Sequence, residues 1–208
     1  MAEITIQATA DITDAYLSSK TSTTNYGAST ILAVGETNTD VNTFRSLLKF
    51  DLSSIPVGST INSATLSVKT VTDASTNERT YRVYRVLRVW VEAQTTWNIY
   101  STGNNWGTAG CGNTTSDRES ADIGSVLFTA SETAGTVKSF TLTADKVQEM
   151  LVDGAFTNNG FLIKADTEEN DAYTLHSSEN GTEANNPKLV INYTALATPA
   201  TAGMFLLF

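Results

Sequence analysis

Short runs of alternating residues recur from one end of this chain to the other, and no other feature narrows its fold so far. They span 3–8, 30–34, 46–50, 61–70, 80–91, 125–128, 138–142, 160–164, 172–175 and 189–193, each rich in Val, Ile, Thr, Tyr or Phe. Clusters such as Thr37-Asn38-Thr39-Asp40 and Thr102-Gly103-Asn104-Asn105 separate them, as turn residues separate the strands of an antiparallel sandwich. The expected class is all-β: an antiparallel β-sandwich or jelly roll. Alternation is cleanest at Ala64–Lys69 and Tyr81–Trp90, where Arg82 and Arg88 fall opposite Tyr81, Val83 and Val89, so that one face is expected to be wet.

One short helix is expected between Thr143 and Leu151. Thr143 or Asp145 can cap it, Val147, Met150 and Leu151 share a face, and Gly154 can take the left-handed position after its end. It is placed as a plug at one end of the sandwich. With 208 residues, a single core is the default. The sandwich is bounded at 1–193, and residues 194–208 form a small-residue extension closing on Met204-Phe205-Leu206-Leu207-Phe208. Five successive apolar residues are poorly suited to water. They either fold back on the sandwich or dock into a neighbouring subunit, and docking makes them the candidate assembly residues.

Charge excludes several functions. With 13 Lys and Arg against 22 Asp and Glu, the net charge is −9, which leaves no basic clusters for nucleic-acid phosphates. No apolar run is long enough to span a membrane, and the N-terminal residues show no signal-peptide pattern. The single Cys111 allows no intramolecular disulfide.

Catalytic motifs are sparse. His176 is the sole histidine and no Gly-x-Ser-x-Gly elbow accompanies it, so a serine triad is not expected. One Cys and one His cannot build a zinc site. Asp117, Glu119, Asp166, Glu168 and Glu169 are the carboxylates from which a glycosidase pair could be drawn. The densest oxygen cluster runs from Asp166 through Glu168 to Asp171, with Asp40 and Asn42 a second choice. Its alternatives are a hydrated acidic loop or a calcium site built on Asp166, Glu168 and Asp171. No cofactor is required on this reading; calcium is the candidate ion.

Aromatic residues offer the other route to sugars. Trp90, Trp97, Tyr100 and Trp106 fall close together. Trp90 continues a buried alternation and reads as core, whereas Trp106, in Asn104-Asn105-Trp106-Gly107, reads as the exposed stacking platform. Trp106 and Tyr100, with Arg82 and Arg88 to offset acidic sugars, are the candidate glycan-binding residues.

Six motifs in order resemble the DNRLRE domain family, related to carbohydrate-binding modules for acidic polysaccharides. They are Thr24-Asn25-Tyr26-Gly27; Leu48 to Pro56; Ile61 to Leu66; Val83 to Val86 with Trp90-Val91-Glu92 and Thr95-Thr96-Trp97; Val147-Gln148-Glu149 through Asn159-Gly160-Phe161; and Ser177-Ser178-Glu179 with Asn186 to Leu189. Met150 stands where relatives usually carry a tryptophan. The resemblance implies a jelly-roll module without catalysis and, in some members, calcium. A lone module with an apolar tail further resembles a phage virion component, a capsid decoration or fibre protein. The leading expectation is thus a non-enzymatic structural and adhesive module on a virion surface or outside a cell, partnered by other subunits as a homo-oligomer or virion assembly, and by cell-surface glycan. The alternatives are a secreted carbohydrate-binding module for acidic polysaccharide and, third, a polysaccharide lyase or hydrolase.

Overall fold

The structure, a computed structural model, describes residues 1–37, 41–73, 77–130 and 132–196. Its strands are β1 (Ala2–Ile6), β2 (Ile12–Ser18), β3 (Ile31–Thr37), β4 (Asn42–Phe50), β5 (Thr60–Asp73), β6 (Arg79–Arg85), β7 (Ile99–Ser101), β8 (Asn104–Asn105), β9 (Gly124–Phe128), β10 (Val137–Leu142), β11 (Phe161–Ala165), β12 (Tyr173–His176) and β13 (Lys188–Thr194). One helix, α1 (Ala144–Gln148), precedes β11. The expected all-β sandwich is what forms.

Two antiparallel layers face one another. In the first, β5 pairs with β13 on one edge and β10 on the other, and β1 extends the layer beyond β13. The second runs β2-β4-β11-β6-β9. Strand β3 joins them: residues 31–34 pair with β12, which pairs with β5, and residues 35–37 pair with β4. Gly35 makes this corner possible. Its φ is +90°, and a Cβ there would sit 2.5 Å from the Asp171 carbonyl oxygen and the Tyr81 hydroxyl, a place where only glycine fits without strain.

Alternation sorts each strand between two cores. Leu48, Phe50, Tyr81, Val83, Phe161 and Ile163 of the second layer meet Leu66, Val68, Phe140, Leu175, Leu189 and Ile191 of the first. From the opposite face of the second layer, Ala15, Leu17, Leu47, Leu162, Tyr84 and Val86 meet Trp90, Trp106 and Cys111. The face expected to be wet is therefore covered by the segment 87–123. Each large apolar side chain buried there contributes about 1.5–3 kcal/mol.

Several further expectations are corrected. Strand β2 is invisible to the alternation pattern because Ala15 and Leu17 enter one core while Tyr16 packs against the other. The run 80–91 does not continue as strand: β6 ends at Arg85, and Val89 is exposed. Gly154 is absent from the positive-φ glycines; it is small because a Cβ would strike the Glu149 carbonyl. Helix α1 is shorter than expected, and Thr143 makes no side-chain cap. Val147, Met150 and Leu151 nevertheless enter the main core, with Gln148 bonding the backbone of Ser59 and Ile61 at 2.9 and 2.7 Å.

Two charged groups staple the covering segment. Asp117, fully buried, accepts from the amides of Gly107, Thr108 and Asn113 at 2.8, 3.0 and 3.0 Å. Arg85, also buried, pairs with Glu119 at 2.7 Å and Glu149 at 2.8 Å and lies over the Phe156 ring. Asp117→Ala would leave three amides without their acceptor and should cost roughly 3 kcal/mol, with a red shift of tryptophan emission as Trp106 gains water. Gly35→Ala should cost about 1–3 kcal/mol by backbone strain, read as a lower midpoint in chemical denaturation.

Candidate functional site

An open pocket of about 200 Å³ lies where β3 leaves one layer for the other. Tyr16 of β2, Phe44 of β4, Ile31, Ala33 and Thr37 of β3, and Ala172 to Thr174 leading into β12 line it. Tyr16 is the centre of a row of three rings. Tyr26 stacks on it with centroids 4.1 Å apart, and Phe44 meets it edge-on at 6.1 Å.

The loop that carries Tyr26 is anchored from below. Asn25 Nδ2 donates to the carbonyls of Glu92 and Thr95 at 2.6 and 2.7 Å, and Gly27 approaches the Glu92 carbonyl more closely than any Cβ would allow. The Tyr26 hydroxyl shares a hydrogen with Thr21 Oγ1 at 2.8 Å. Burial, and then Tyr26, push the Tyr16 phenol well above its ordinary range, so the ring remains neutral. Stacked, neutral and half-buried rings are the side chains that meet the C–H face of a pyranose at low entropic cost.

The residues expected to bind glycan are arranged differently. Trp106 is only 5% exposed, and its Nε1 donates to the Thr96 carbonyl at 3.0 Å; its ring belongs to the second core and offers no platform. Tyr100 packs on Trp106 at 5.5 Å and lies beneath the Arg88 guanidinium at 5.4 Å. Arg82 pairs with Asp122 at 3.2 Å, and Arg88 lies 3.8 Å from Asp117. Trp90, read as core, is buried, its Nε1 bonding the Asn159 carbonyl at 2.8 Å.

The acidic trio is likewise dispersed. Asp171 is buried and turned inward, accepting from the Glu36 amide at 2.8 Å and pairing with Arg79 at 2.9 Å. Glu168 is held by Arg45 at 2.7 and 2.8 Å. Asp166 accepts from the Thr167 amide in an exposed turn. The calcium site expected from Asp166, Glu168 and Asp171 is thus not assembled, because consecutive loop acids are each drawn to a different partner. Among the described residues no group of three His, Cys, Asp or Glu side chains is disposed to hold a metal ion. Asp40 and the docking residues Met204, Phe205, Leu206, Leu207 and Phe208 lie outside the described residues.

Other reactive groups serve the fold. Burial, and then Asp117, push the Cys111 thiol upward, away from the reactive thiolate. Burial, and then Lys69, lower the His176 imidazole. Asp14 is the most perturbed carboxyl: at 1% exposure, burial and then the Glu179 charge push it up to about 8. Its Oδ2 accepts from the Ser178 amide and its own amide donates to Glu92, each at 2.8 Å.

Fold and pocket together define a β-sandwich module with an aromatic-lined surface site. The model of the disaggregatase related repeat domain matches residues 14–191, and the chain belongs to that family. No curated protein matches the chain. Among the described residues no helix is long and apolar enough to cross a membrane.

Sequence reasoning missed Tyr16 and Phe44. A signal existed in Tyr26, which the motif Thr24-Asn25-Tyr26-Gly27 marks as turn chemistry; an aromatic in a polar turn needs a surface to lie on. Since Asp14 holds its proton in the fold well above the unfolded carboxyl range, its contribution is fully present below about pH 4 and is lost as pH rises toward 8. Glu92 and Asp171 are also raised by burial and add the same sign. Asp14→Asn should therefore flatten most of the fall in Tm between pH 5 and pH 8.5, measured by thermal melts across that range.

Proposed function

We propose that the protein is a non-catalytic adhesive module that binds carbohydrate through the Tyr16 pocket. The observation that carries this reading is the ring row Tyr26–Tyr16–Phe44 on an open, mostly apolar pocket. Membership of the disaggregatase related repeat family supports it, as does the ordered set of motifs that resembles DNRLRE modules. Three of the five carboxylates suggested for hydrolysis have structural partners: Asp117 holds loop amides, Glu119 holds Arg85, and Glu168 holds Arg45. The setting proposed for the module is a virion surface or the outside of a cell, where several copies present the pocket to glycan.

On a glycan array the whole chain should bind a defined subset of glycans. Tyr16→Ala and Phe44→Ala should each weaken that binding by about tenfold, the scale of one lost ring contact. Trp106→Phe should leave it unchanged once folding is confirmed by Tm. Binding should survive a chelator, since the acids near the pocket are engaged by Arg45 and Arg79. An array without any hit, at concentrations where the chain is folded, would remove the reading.

A further inference from the structure

We infer that the Tyr16 pocket receives a methyl group borne by a sugar ring, so that the module selects acetylated or 6-deoxy residues over unsubstituted hexoses. This rests on the carbohydrate reading and adds the ligand class for the same site. The walls give the reason. Ile31, Ala33, Ala172 and the rings of Tyr16 and Phe44 present carbon, and polar atoms make up only a small part of the exposed lining.

Thr174 Oγ1 lies 2.6 Å from Thr72 Oγ1 and accepts from the Thr72 amide at 3.1 Å. Thr37 Oγ1 accepts from the Asn42 amide at 3.4 Å. The Tyr173 hydroxyl turns away to the Thr129 carbonyl at 2.7 Å, and the Tyr16 ring is stacked on that of Tyr26. A sugar hydroxyl pushed against these carbon walls would give up water for few replacement partners, which is unfavourable. A methyl group gives up nothing polar and gains contact on several sides. With a volume of about 200 Å³, the pocket suits one substituent and the ring edge that bears it, leaving the remaining hydroxyls outside in water.

Saturation-transfer NMR and calorimetry on the whole chain test this, with chitotetraose, a rhamnose oligosaccharide and cellotetraose as probes. Chitotetraose and cellotetraose differ only in replacing an acetamido group by a hydroxyl. The acetyl or C6 methyl protons should carry the strongest saturation, and at least one methylated probe should bind roughly tenfold tighter than cellotetraose, the usual scale for one apolar carbon in a fitted pocket. Which of the two binds distinguishes an acetyl from a deoxy source. Ala33→Leu, which fills the pocket from its floor, should abolish the preference; Ile31→Phe at the wall serves the same end if the first variant does not fold.

Equal affinity for all three probes would overturn the methyl assignment while leaving carbohydrate binding intact. A preference that persists in a folded, pocket-filled variant would overturn the location. Failure of all three probes together with an empty glycan array would overturn the carbohydrate reading itself and this inference with it.

Discussion

Burial of one sheet on both of its faces is the constraint from which the rest of this structure follows. The strands β2, β4, β11 and β6 send alternate residues into the sandwich and into the covering segment 87–123. A sheet so enclosed cannot lose either partner without exposing a row of large apolar side chains. The covering segment has little regular structure, so its amides and charges must be satisfied individually. Asp117 and Arg85 do this from buried positions, and their cost of desolvation is offset because each meets several partners at short range.

That enclosure also explains why the aromatic-rich stretch does not present itself to solvent. Trp90 and Trp106 are consumed in covering the sheet, each with its indole N–H on a backbone carbonyl, and Tyr100 and Arg88 seal the edge of the same layer. Rings are instead available at the corner where β3 changes layers. There Tyr16 and Phe44 line the pocket, and Tyr26 folds across from a loop that is itself anchored on the covering segment. The pocket is thus a by-product of how the sheet turns, held in place by the staples of the outer layer.

Strand content and fold class were legible in the sequence because alternation and turn residues are local signals. The helix was legible from its Val147, Met150 and Leu151 spacing, although its end was not, since Gly154 answers to a nearby carbonyl and not to a left-handed backbone. Asp51 is another local success: its carboxylate accepts from the Ser53 amide at 2.8 Å, as the turn Asp51-Leu52-Ser53-Ser54 suggests. Failures fall where two faces are buried at once. Strand β2 carries no clean period, and Tyr81–Trp90 carries a period that outlasts the strand.

What the sequence determined alone is therefore the all-β class, the strand positions with one clear face, the short helix before β11 and the lack of an intramolecular disulfide. Each depends on neighbours along the chain. Tertiary structure alone decided which tryptophans are covered, where each acid of the loop 166–171 turns, that Asp14 holds its proton, and that Tyr16, Tyr26 and Phe44 meet. Those outcomes depend on residues brought together from distant parts of the chain, with burial and charge set by whatever packs against them, and such information is absent from any local pattern.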